Sequence, residues 1–518
     1  MSKSLLKSTS VVVTMTMISR VFGFLRDMVT AQLFGAGAAF DAFSVAFKIP
    51  NFMRRLFAEG SFSQAFVPVL SEYQKQKSAE DIRNFINSMA GTLGLVLLIV
   101  TVLGMVLAPW IVRVFAPGFA ADGTRFDLAV SMLRITFPYL MLISLTAFSG
   151  AILNTYSRYW VAAFTPVFLN LCMIAAAWWL SPLLSTPIKA LAWGVFVAGL
   201  VQMIFQWPFL WRLRLAPRPQ VDFKNSGVTR VLKLMVPALF GVSVSQINLL
   251  LDTLFASFLI VGSVSWLYYS DRLMEFPLGV FGVAISTVIL PHLSRHHASS
   301  SPQQYSLTLD WALRMVLLIG IPAAVVLATL SIPLLSTLFH YGRFDNYAVM
   351  MARKSLAMFA IGIAPCMLIK ILAAGFYAKQ NLRTPVRIGI VAMVANMVLN
   401  MLFIFPLAHA GIALATSLAA LVNASCLYYC LRRDNIYVPR AGWKFFAVRL
   451  LFANLVLALW LTWGTGEATS WLSQSAVWRL SHLFGLLISA VLIYFAALWG
   501  SGIRVQDLLV PQTQQAAV

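Results

Sequence analysis

Charged residues are scarce in this sequence. Only 11% of its 518 residues are Asp, Glu, Lys or Arg, and 60% are hydrophobic, whereas soluble domains carry about 25% charged residues. A water-soluble fold is excluded, because too few polar side chains remain to cover its surface. Apolar runs at 89–108, 160–180, 315–332 and 446–463 approach or reach the roughly 20 residues that span hydrocarbon as a helix. The composition predicts a polytopic membrane protein.

Residues for metal, redox or enzymatic chemistry are also sparse. The chain has four cysteines, all in apolar segments; Cys426 and Cys430 lie one helical turn apart without further ligands, which favours packing over metal binding. His292, His296 and His297 cluster without a carboxylate or cysteine and are interpreted as a solvated loop. An Asp-x-Asp pair and a His/Asp/Ser constellation at a membrane face are missing, which argues against a glycosyltransferase or phosphatase. The sequence predicts a protein that is not an enzyme and has no organic cofactor.

The net charge of +21 is unevenly distributed along the chain. With the N-terminus inside, most Lys and Arg residues fall in cytoplasmic segments, as the positive-inside rule requires. Both termini are then cytoplasmic, and nucleic-acid binding is not indicated. The basic start lacks a convincing cleavage site and leads into Arg20, Arg26 and Asp27, so it is interpreted as the first membrane helix rather than a signal peptide.

Hydropathy predicts an all-α fold of about fourteen transmembrane helices. They lie near 9–34, 38–57, 87–112, 129–153, 159–181, 188–211, 231–257, 262–289, 312–336, 353–377, 386–407, 411–431, 444–463 and 480–501. The predicted parts are an N-terminal lobe at 1–214, a basic cytoplasmic linker at 215–230, a C-terminal lobe at 231–433, and the last two helices with a short tail at 434–518. Weak similarity between the lobes, such as 198–202 with 419–423, indicates a parallel repeat of the kind that rocks about a central site. The alternative is that the two lobes resemble each other only because both are rich in apolar residues.

Charged residues at bilayer depth are the most informative feature. A charged side chain at the centre of the bilayer costs at least about 2.5–3.5 kcal/mol, so it normally faces a cavity or a partner. The cations are Arg20, Arg26, Lys48, Arg54, Arg55, Arg272 and Lys370, and the acids are Asp27, Asp41, Glu59, Asp271 and Glu275. Spacing allows Arg55 to pair with Glu59 and Arg272 with Glu275. Ion pairs that merely join helices are one reading. The surplus of cations favours a wet cavity that receives an anion, and arginine favours phosphate or carboxylate.

The strings around these charges resemble the MurJ family of lipid II flippases over essentially the whole chain. They are Arg20-Val-Phe-Gly-Phe-Leu-Arg26-Asp27, Phe34-Gly-Ala-Gly37, Asp41-Ala-Phe-Ser-Val-Ala-Phe-Lys48-Ile-Pro-Asn51, Arg54-Arg55-Leu-Phe-Ala-Glu59-Gly60 and Ser270-Asp271-Arg272-Leu-Met-Glu275-Phe-Pro277. The resemblance implies a fold of the multidrug/oligosaccharidyl-lipid/polysaccharide (MOP) exporter superfamily. It further implies two lobes around a central cationic cavity and two extra C-terminal helices that form a groove for a polyprenyl tail.

The resemblance also implies which residues act. Those expected to bind substrate are Arg20, Arg26, Asp41, Arg54, Arg55, Asp271, Arg272, Glu275 and Lys370. Those expected to gate or to form ion pairs are Asp27, Lys48 and Glu59. Some relatives resemble sodium-binding transporters, and Asp252, Asn396, Asn400 and Thr416 form the corresponding candidate sodium site. Simple hydrogen bonding between helices is the alternative for these four.

The expected function is to flip lipid II, a disaccharide-pentapeptide on undecaprenyl pyrophosphate, from the cytoplasmic to the periplasmic leaflet of the bacterial inner membrane. Lipid II, membrane lipids and the cell-wall synthesis machinery are the expected partners. Two alternatives stay open: a flippase for another polyprenyl-linked saccharide, and a cation-coupled exporter like the multidrug and toxic-compound extrusion (MATE) transporters. The Arg-rich cavity counts against an exporter of cationic drugs.

Overall fold

The computed structural model describes residues 3–55, 62–299 and 301–504, and all regular structure within those ranges is helical. The chain divides into two compact units, Met1–Ser265 and Trp266–Val518. The first unit contains α1 Lys3–Phe34, α2 Ala38–Arg54, α3 Ser63–Gln76, α4 Ala79–Val106, α5 Ala108–Phe115, α6 Gly123–Thr136, α7 Pro138–Thr155, α8 Tyr159–Phe164, α9 Pro166–Ala175, α10 Lys189–Arg212 and α11 Ser226–Ser257. It ends in the first turn of α12 Ser263–Pro277.

The second unit continues α12 and holds the remaining helices. They are α13 Val283–Ala298, α14 Pro302–Thr329, α15 Ser331–Leu338, α16 Asn346–Tyr377, α17 Arg383–Leu407, α18 His409–Arg433, α19 Trp443–Thr465 and α20 Ala476–Gly500. Ten helical stretches among the described residues are long and apolar enough to cross a bilayer, and each coincides with a predicted span. The other predicted spans correspond to α1, α2, α11 and α12 with its continuation. The prediction of an all-α polytopic membrane protein is confirmed.

An aromatic cluster forms the core of the first unit at α3, α4 and α7. Phe66 stacks on Phe62 with ring centroids 5.1 Å apart and meets Phe148 at 5.1 Å and Phe85 at 5.6 Å. All four rings are buried. Aromatic contacts of this kind add about 0.5–1.5 kcal/mol per pair beyond the apolar area they bury. The cluster therefore holds α3 against α4 and α7.

The basic linker lies directly on α4. Its backbone N–H groups at Arg218 and Gln220 donate to the side chain and the carbonyl of Asn87, at 2.8 and 3.1 Å. A Cβ at Gly91 would lie 2.3 Å from the Gln220 backbone, so only glycine permits this approach. The helix α11 begins at Ser226, capped by Asn225, inside the predicted linker. The helix therefore starts earlier than hydropathy indicates, because its first turn is polar.

Within the second unit, Asp310 of α14 anchors the segment that leads into α19 and the first residue of that helix. Its buried carboxylate accepts hydrogen bonds from the Tyr437 hydroxyl and the Trp443 indole, both at 2.7 Å, and pairs with Arg314 at 2.9 Å. Beyond this anchor α19 and α20 pack on each other and expose apolar side chains, including Phe445 at 74%. Exposed aromatic and aliphatic residues on helices of this length are typical of contact with lipid.

The helix that carries Asp271 and Arg272 is interrupted. Between α12 and α13 the segment Leu278–Gly282 has π-helical geometry, directly after Pro277. A proline removes one backbone donor, and single π turns occur frequently at functional sites. The predicted eighth span is thus a broken helix, with its charges immediately before the break.

Candidate functional site

Arg26 and Asp27 of α1 form a buried ion pair within the first unit. The Arg26 guanidinium contacts Asp27 through Nη2 at 2.7 Å and Nε at 3.0 Å, and its Nη1 donates to Asn170 Oδ1 of α9 at 3.1 Å. Asn170 in turn donates to the Ser19 carbonyl at 3.1 Å. Arg26 is only 6% exposed. Its positive charge is therefore compensated in place, and a substrate phosphate would have to compete with a carboxylate for it.

Arg20 differs from Arg26, although both lie on α1. Its side chain is exposed, and it shares a helix face with Asp27 by spacing. The structure joins Asp27 to the adjacent Arg26 instead. Arg20 is thus placed at an accessible surface of the first unit, where a cation attracts anions without first breaking a pair.

Asp41 of α2 accepts hydrogen bonds at the start of α12. Its fully buried carboxylate accepts from the backbone N–H of Gly262 at 2.7 Å and of Ser265 at 2.8 Å, and from the Ser265 hydroxyl. Arg125 lies 3.8 Å away across the same carboxylate. The site combines a helix N-terminus with an opposite charge, and both stabilise an anion. Asp41 therefore joins α2 to the segment that connects α11 and α12.

The guanidinium of Arg125, in the first turn of α6, is positioned by the residues that precede this helix. Asp122 accepts from its Nε at 2.6 Å and caps α6, while the Phe119 ring lies 4.6 Å from the guanidinium carbon. The hydrogen bond from Arg125 lowers the pKa of the Asp122 carboxyl, with a smaller Coulombic contribution from the same arginine. Asp122 thus stays ionised and holds Arg125 beside Asp41.

The cations of α2 contact different partners. The Lys48 ammonium donates to Thr253 Oγ1 of α11 at 3.0 Å, and Arg54 donates twice to Asn51, at 2.8 and 2.9 Å. Arg55 is half-buried at the end of α2. Glu59, its expected partner, lies outside the described residues. The first unit therefore keeps three α2 cations in partly buried, polar surroundings.

Arg54 lines a cavity of about 390 Å³ inside the first unit. The walls come from α2, α3, α7, α10 and the junction of α8 with α9, and they include polar groups of Asn154, Thr165, Gln202 and Gln206. Pockets of roughly 300–1,000 Å³ are typical of small-molecule sites. A guanidinium beside neutral hydrogen-bonding groups suits a polar, anionic ligand.

In the second unit the charges gather around the broken helix. Arg272 pairs with Glu275 at 2.8 Å, as their spacing predicts, and its guanidinium carbon lies 4.9 Å from the Tyr268 ring centroid. Lys370 of α16 donates to the Leu278 carbonyl in the π-helical segment at 3.4 Å. Asp271 and Lys370 both lie within electrostatic reach of the Cys366 thiol. Asp271 and Lys370 are therefore brought close to one point, the Cys366 thiol of α16, while Arg272 contacts Glu275 and Tyr268.

The candidate sodium ligands are divided between the units. Asp252 belongs to the first unit and Asn396, Asn400 and Thr416 to the second. Both asparagines are fully buried on one face of α17, and the Thr416 hydroxyl donates to the Ile412 carbonyl at 3.0 Å. Carboxylate, amide and hydroxyl oxygens suit a hard cation, so the donor chemistry of the set fits sodium.

Comparison with known proteins identifies the family. The sequence profile of the lipid II flippase MurJ family matches residues 30–482. The chain belongs to this MurJ family. A probable lipid II flippase MurJ from Vibrio cholerae serotype O1 is 48% identical over 514 residues, which are 98% of each chain. The lipid II flippase MurJ of Burkholderia cenocepacia is 42% identical over 495 residues, or 94% of this chain and 96% of that protein.

Solved structures agree with the MurJ assignment. A lipid II flippase MurJ in an inward closed conformation superposes with a TM-score of 0.79 at 26% identity, covering 95% of this chain and 99% of that one. An inward-facing MATE family multidrug transporter of the MOP superfamily gives 0.68 at 13% identity, covering 84% and 98%. The similarity to the MATE transporter shows a shared fold and nothing more. Together they show that this MurJ-family chain has a fold shared by the MurJ and the MATE transporter structures.

Several residues of the candidate site do not follow from the sequence. Arg125 precedes the predicted span at 129–153, yet Asp122 three residues before it is a recognisable helix-capping signal for α6, which begins at Gly123. Gln202 and Gln206 are polar residues four apart on an otherwise apolar span, which predicts that they share one helix face. Thr253 gave no such signal, since a threonine in an apolar helix normally bonds its own backbone, as it does here at 3.0 Å.

Proposed function

We propose that this chain moves lipid II from the cytoplasmic to the periplasmic leaflet of the bacterial inner membrane by alternating access. The observation that carries the proposal is the guanidinium of Arg54 in the wall of a polar cavity, within a chain of the MurJ family. Charge at this depth is costly unless it serves a ligand or a partner. The alternatives, another polyprenyl-linked saccharide or a cationic drug as cargo, are not better supported.

The arginines would bind the pyrophosphate of lipid II. A guanidinium presents paired N–H donors that match phosphate oxygens, whereas an ammonium acts as a point charge. Arg54 and Arg55 are partly exposed, whereas Arg26 and Arg272 are held by Asp27 and Glu275. We infer that these acids hold the two arginines before substrate enters and release them to the pyrophosphate. No bond is made or broken in lipid II, so the protein acts as a transporter rather than an enzyme.

The Asp41 network would keep the periplasmic side closed. With both termini in the cytoplasm, the start of α2, the start of α6 and the loop between α11 and α12 would all lie at the periplasmic end. Asp41, Arg125 and Gly262 join these three segments. Opening toward the periplasm would require the bonds of Asp41 to α12 to break. The exposed apolar faces of α19 and α20 would carry the undecaprenyl tail in lipid while the headgroup crosses.

The amide and hydroxyl oxygens of Asn396, Asn400 and Thr416 in the second unit would bind sodium. If so, sodium chloride should raise the melting temperature of the purified protein more than choline chloride does at equal ionic strength. The Asn400→Leu variant should lose that difference. An equal response of both proteins to the two salts would remove sodium from the account.

Complementation tests the proposed function. A host depleted of its own lipid II flippase should grow when it expresses this chain and should lyse when it expresses Arg54→Ala. The Arg113→Ala variant is the control, since Arg113 is an exposed residue of α5 outside the proposed site. Failure of the unaltered chain to restore growth, with the protein present in the membrane, would contradict lipid II transport.

A further inference from the structure

The cavity beside Arg54 contains two buried glutamine side chains that the proposed binding of pyrophosphate does not use. Gln202 and Gln206 lie one turn apart on α10 and both line the cavity. They are 1% and 2% exposed. Their amide oxygens accept no hydrogen bond from any residue within the described ranges. A buried acceptor without a donor costs about 1–3 kcal/mol, so such groups call for an explanation.

The orientation of the Gln202 amide is fixed by chemistry. Its nitrogen lies 3.1 Å from the backbone carbonyl of Thr165. A carbonyl oxygen can only accept, so the group facing it must be the NH2 donor. Exchanging the amide nitrogen and oxygen would set two acceptors against each other. The Gln202 oxygen is therefore the atom that remains without a donor.

The same argument applies to Gln206 through a different partner. Its nitrogen lies 2.9 Å from the Thr165 hydroxyl oxygen. That hydroxyl already donates its single proton to the Val161 carbonyl at 2.7 Å. It can therefore only accept from Gln206, which again fixes the NH2 toward Thr165. One threonine thus orients both amides with their oxygens as acceptors.

A ligand group that donates hydrogen bonds would satisfy both acceptors at the wall of this cavity. A bare metal cation fits poorly, because the Arg54 guanidinium lines the same cavity and like charges repel. Water would satisfy the acceptors of an empty cavity, and a volume of about 390 Å³ leaves room for a ligand group that replaces it. Sugar hydroxyls and amide N–H groups are uncharged donors, and they are compatible with a phosphate bound to the adjacent arginine.

We propose that Gln202 and Gln206 bind the uncharged hydrogen-bond donors of the substrate headgroup, the sugar hydroxyls or amide N–H groups attached to the pyrophosphate. The two glutamines then determine specificity, since they distinguish a lipid pyrophosphate that carries a saccharide from one that does not. Arg54 supplies affinity for the charged part, which both lipids share. This proposal rests on the proposed function and assigns a separate part of the same cavity.

Binding of two lipids by the purified full-length protein in nanodiscs tests the assignment. The probes are labelled lipid II and undecaprenyl pyrophosphate, which lacks the saccharide and peptide. Gln202→Met and Gln206→Met keep the side-chain length and remove the amide. Each should weaken lipid II binding roughly two- to tenfold, the value of one net hydrogen bond. Undecaprenyl pyrophosphate should bind each variant as it binds the unaltered protein.

Two further variants separate recognition from folding. Thr101→Val removes another buried hydroxyl that accepts no hydrogen bond from the described residues, but it lies outside the cavity and should bind both lipids normally. A Cβ at Gly150 would meet its nearest neighbour at 3.4 Å and the Gln206 amide at 3.7 Å. Gly150→Ala should therefore fold, narrow the cavity beside Gln206 and selectively weaken lipid II.

The outcomes are distinguishable. Equal loss of both lipids in the glutamine variants and in Gly150→Ala, or unchanged lipid II binding in all three, would overturn the assignment of the glutamines while leaving lipid II transport intact. A wild-type protein that binds neither lipid would overturn the proposed function itself. Selective loss of lipid II, with normal binding by Thr101→Val, is the result the geometry predicts.

Discussion

The carboxylate of Asp41 accepts hydrogen bonds from both the backbone N–H, at 2.8 Å, and the hydroxyl of Ser265 in the first turn of α12. Ser265 is 224 residues away in sequence, so the contact depends entirely on the fold. A carboxylate at a helix N-terminus receives both directed N–H groups and a favourable dipole. This one side chain therefore determines whether the start of α12 stays attached to α2.

Asp41→Ala should reduce both stability and transport. It leaves the backbone donors of Gly262 and Ser265 buried without their acceptor, and removing one partner of a buried ionic network typically costs about 3–5 kcal/mol. Asp41→Asn keeps an acceptor oxygen and should cost less, and Ser265→Ala least of all. Thermal unfolding in detergent measures this ranking, with Asp127→Asn, an exposed residue of α6, as the control. Equal melting temperatures for Asp41→Ala and the control would refute it.

Arg26→Lys should be defective although the charge is kept. Arg26 contacts Asp27 twice and Asn170 once, and an ammonium cannot reproduce that planar set of donors. We expect Arg26→Ala to abolish growth in the depletion strain and Arg26→Lys to support it poorly, at normal membrane levels of protein. Lys224→Arg, in the exposed linker, should grow normally. Full growth with Arg26→Ala would exclude Arg26 from transport.

The stability of the second unit should fall in mild acid because of His340. Burial, and then the nearby Arg479, lower the pKa of His340 below its usual value of 6.5, although Asn346 and Asp345 oppose the shift. Arg479 donates to the imidazole at 2.9 Å and to the Ser336 carbonyl at 2.7 Å, joining α20 to α15. The unfolded chain therefore binds the proton more readily. The stability contributed by neutral His340 is complete above pH 6.5 and decreases as the pH falls from there toward the lowered pKa.

Melting temperatures at about pH 7.5 and about pH 5.5 measure the effect of that proton. His340→Asn keeps an acceptor for Arg479 but cannot titrate, so its melting temperature should depend less on pH. His297→Asn, an exposed residue at the end of α13, is the matched control and should respond as the unaltered protein does. Identical pH dependence in all three proteins would show that His340 has no part in it.

The prediction from sequence was most complete where a residue's chemistry alone decides its place. Apolar runs located the helices, since hydropathy reports directly on burial in lipid, and the resemblance to the MurJ family supplied the fold. The i, i+3 pair of Arg272 with Glu275 followed from helix geometry. Partners distant in sequence did not follow: Arg26 donates to Asn170, and Asp41 accepts from Ser265. Such contacts depend on how helices pack, which no local pattern encodes.

The glutamines of α10 and the break after Pro277 show a second limit. The sequence alone does not identify Gln202 and Gln206 as site residues, because two amides in an apolar span normally form hydrogen bonds to neighbouring helices. Their significance lies in the Thr165 groups that orient them. Likewise, the proline predicts a disturbance of the helix, but whether it becomes a kink or a π turn depends on the surroundings, here including Lys370 at the Leu278 carbonyl.

The membrane potential should drive transport. Moving one charge through 100 mV is worth about 2.3 kcal/mol, so with an inside-negative potential the export of the two negative charges of a pyrophosphate would release about twice that. Arginines that moved with the substrate would cancel this gain. We expect flipping in vesicles to stall when valinomycin with external potassium removes the potential. Unimpaired flipping in depolarised vesicles would show that another source supplies the energy.

The central claim is that arginines at membrane depth bind the pyrophosphate of lipid II while it crosses. The most direct measurement is the rate at which proteoliposomes containing the purified protein flip fluorescent lipid II, compared among the unaltered protein, Arg54→Ala, Arg272→Ala and the exposed control Arg113→Ala. The account predicts rapid flipping by the unaltered protein and the control, and at least roughly tenfold slower flipping by each of the other two, the effect of losing one charge-assisted hydrogen bond of about 1.5–3 kcal/mol. Equal rates in all four proteins would contradict it.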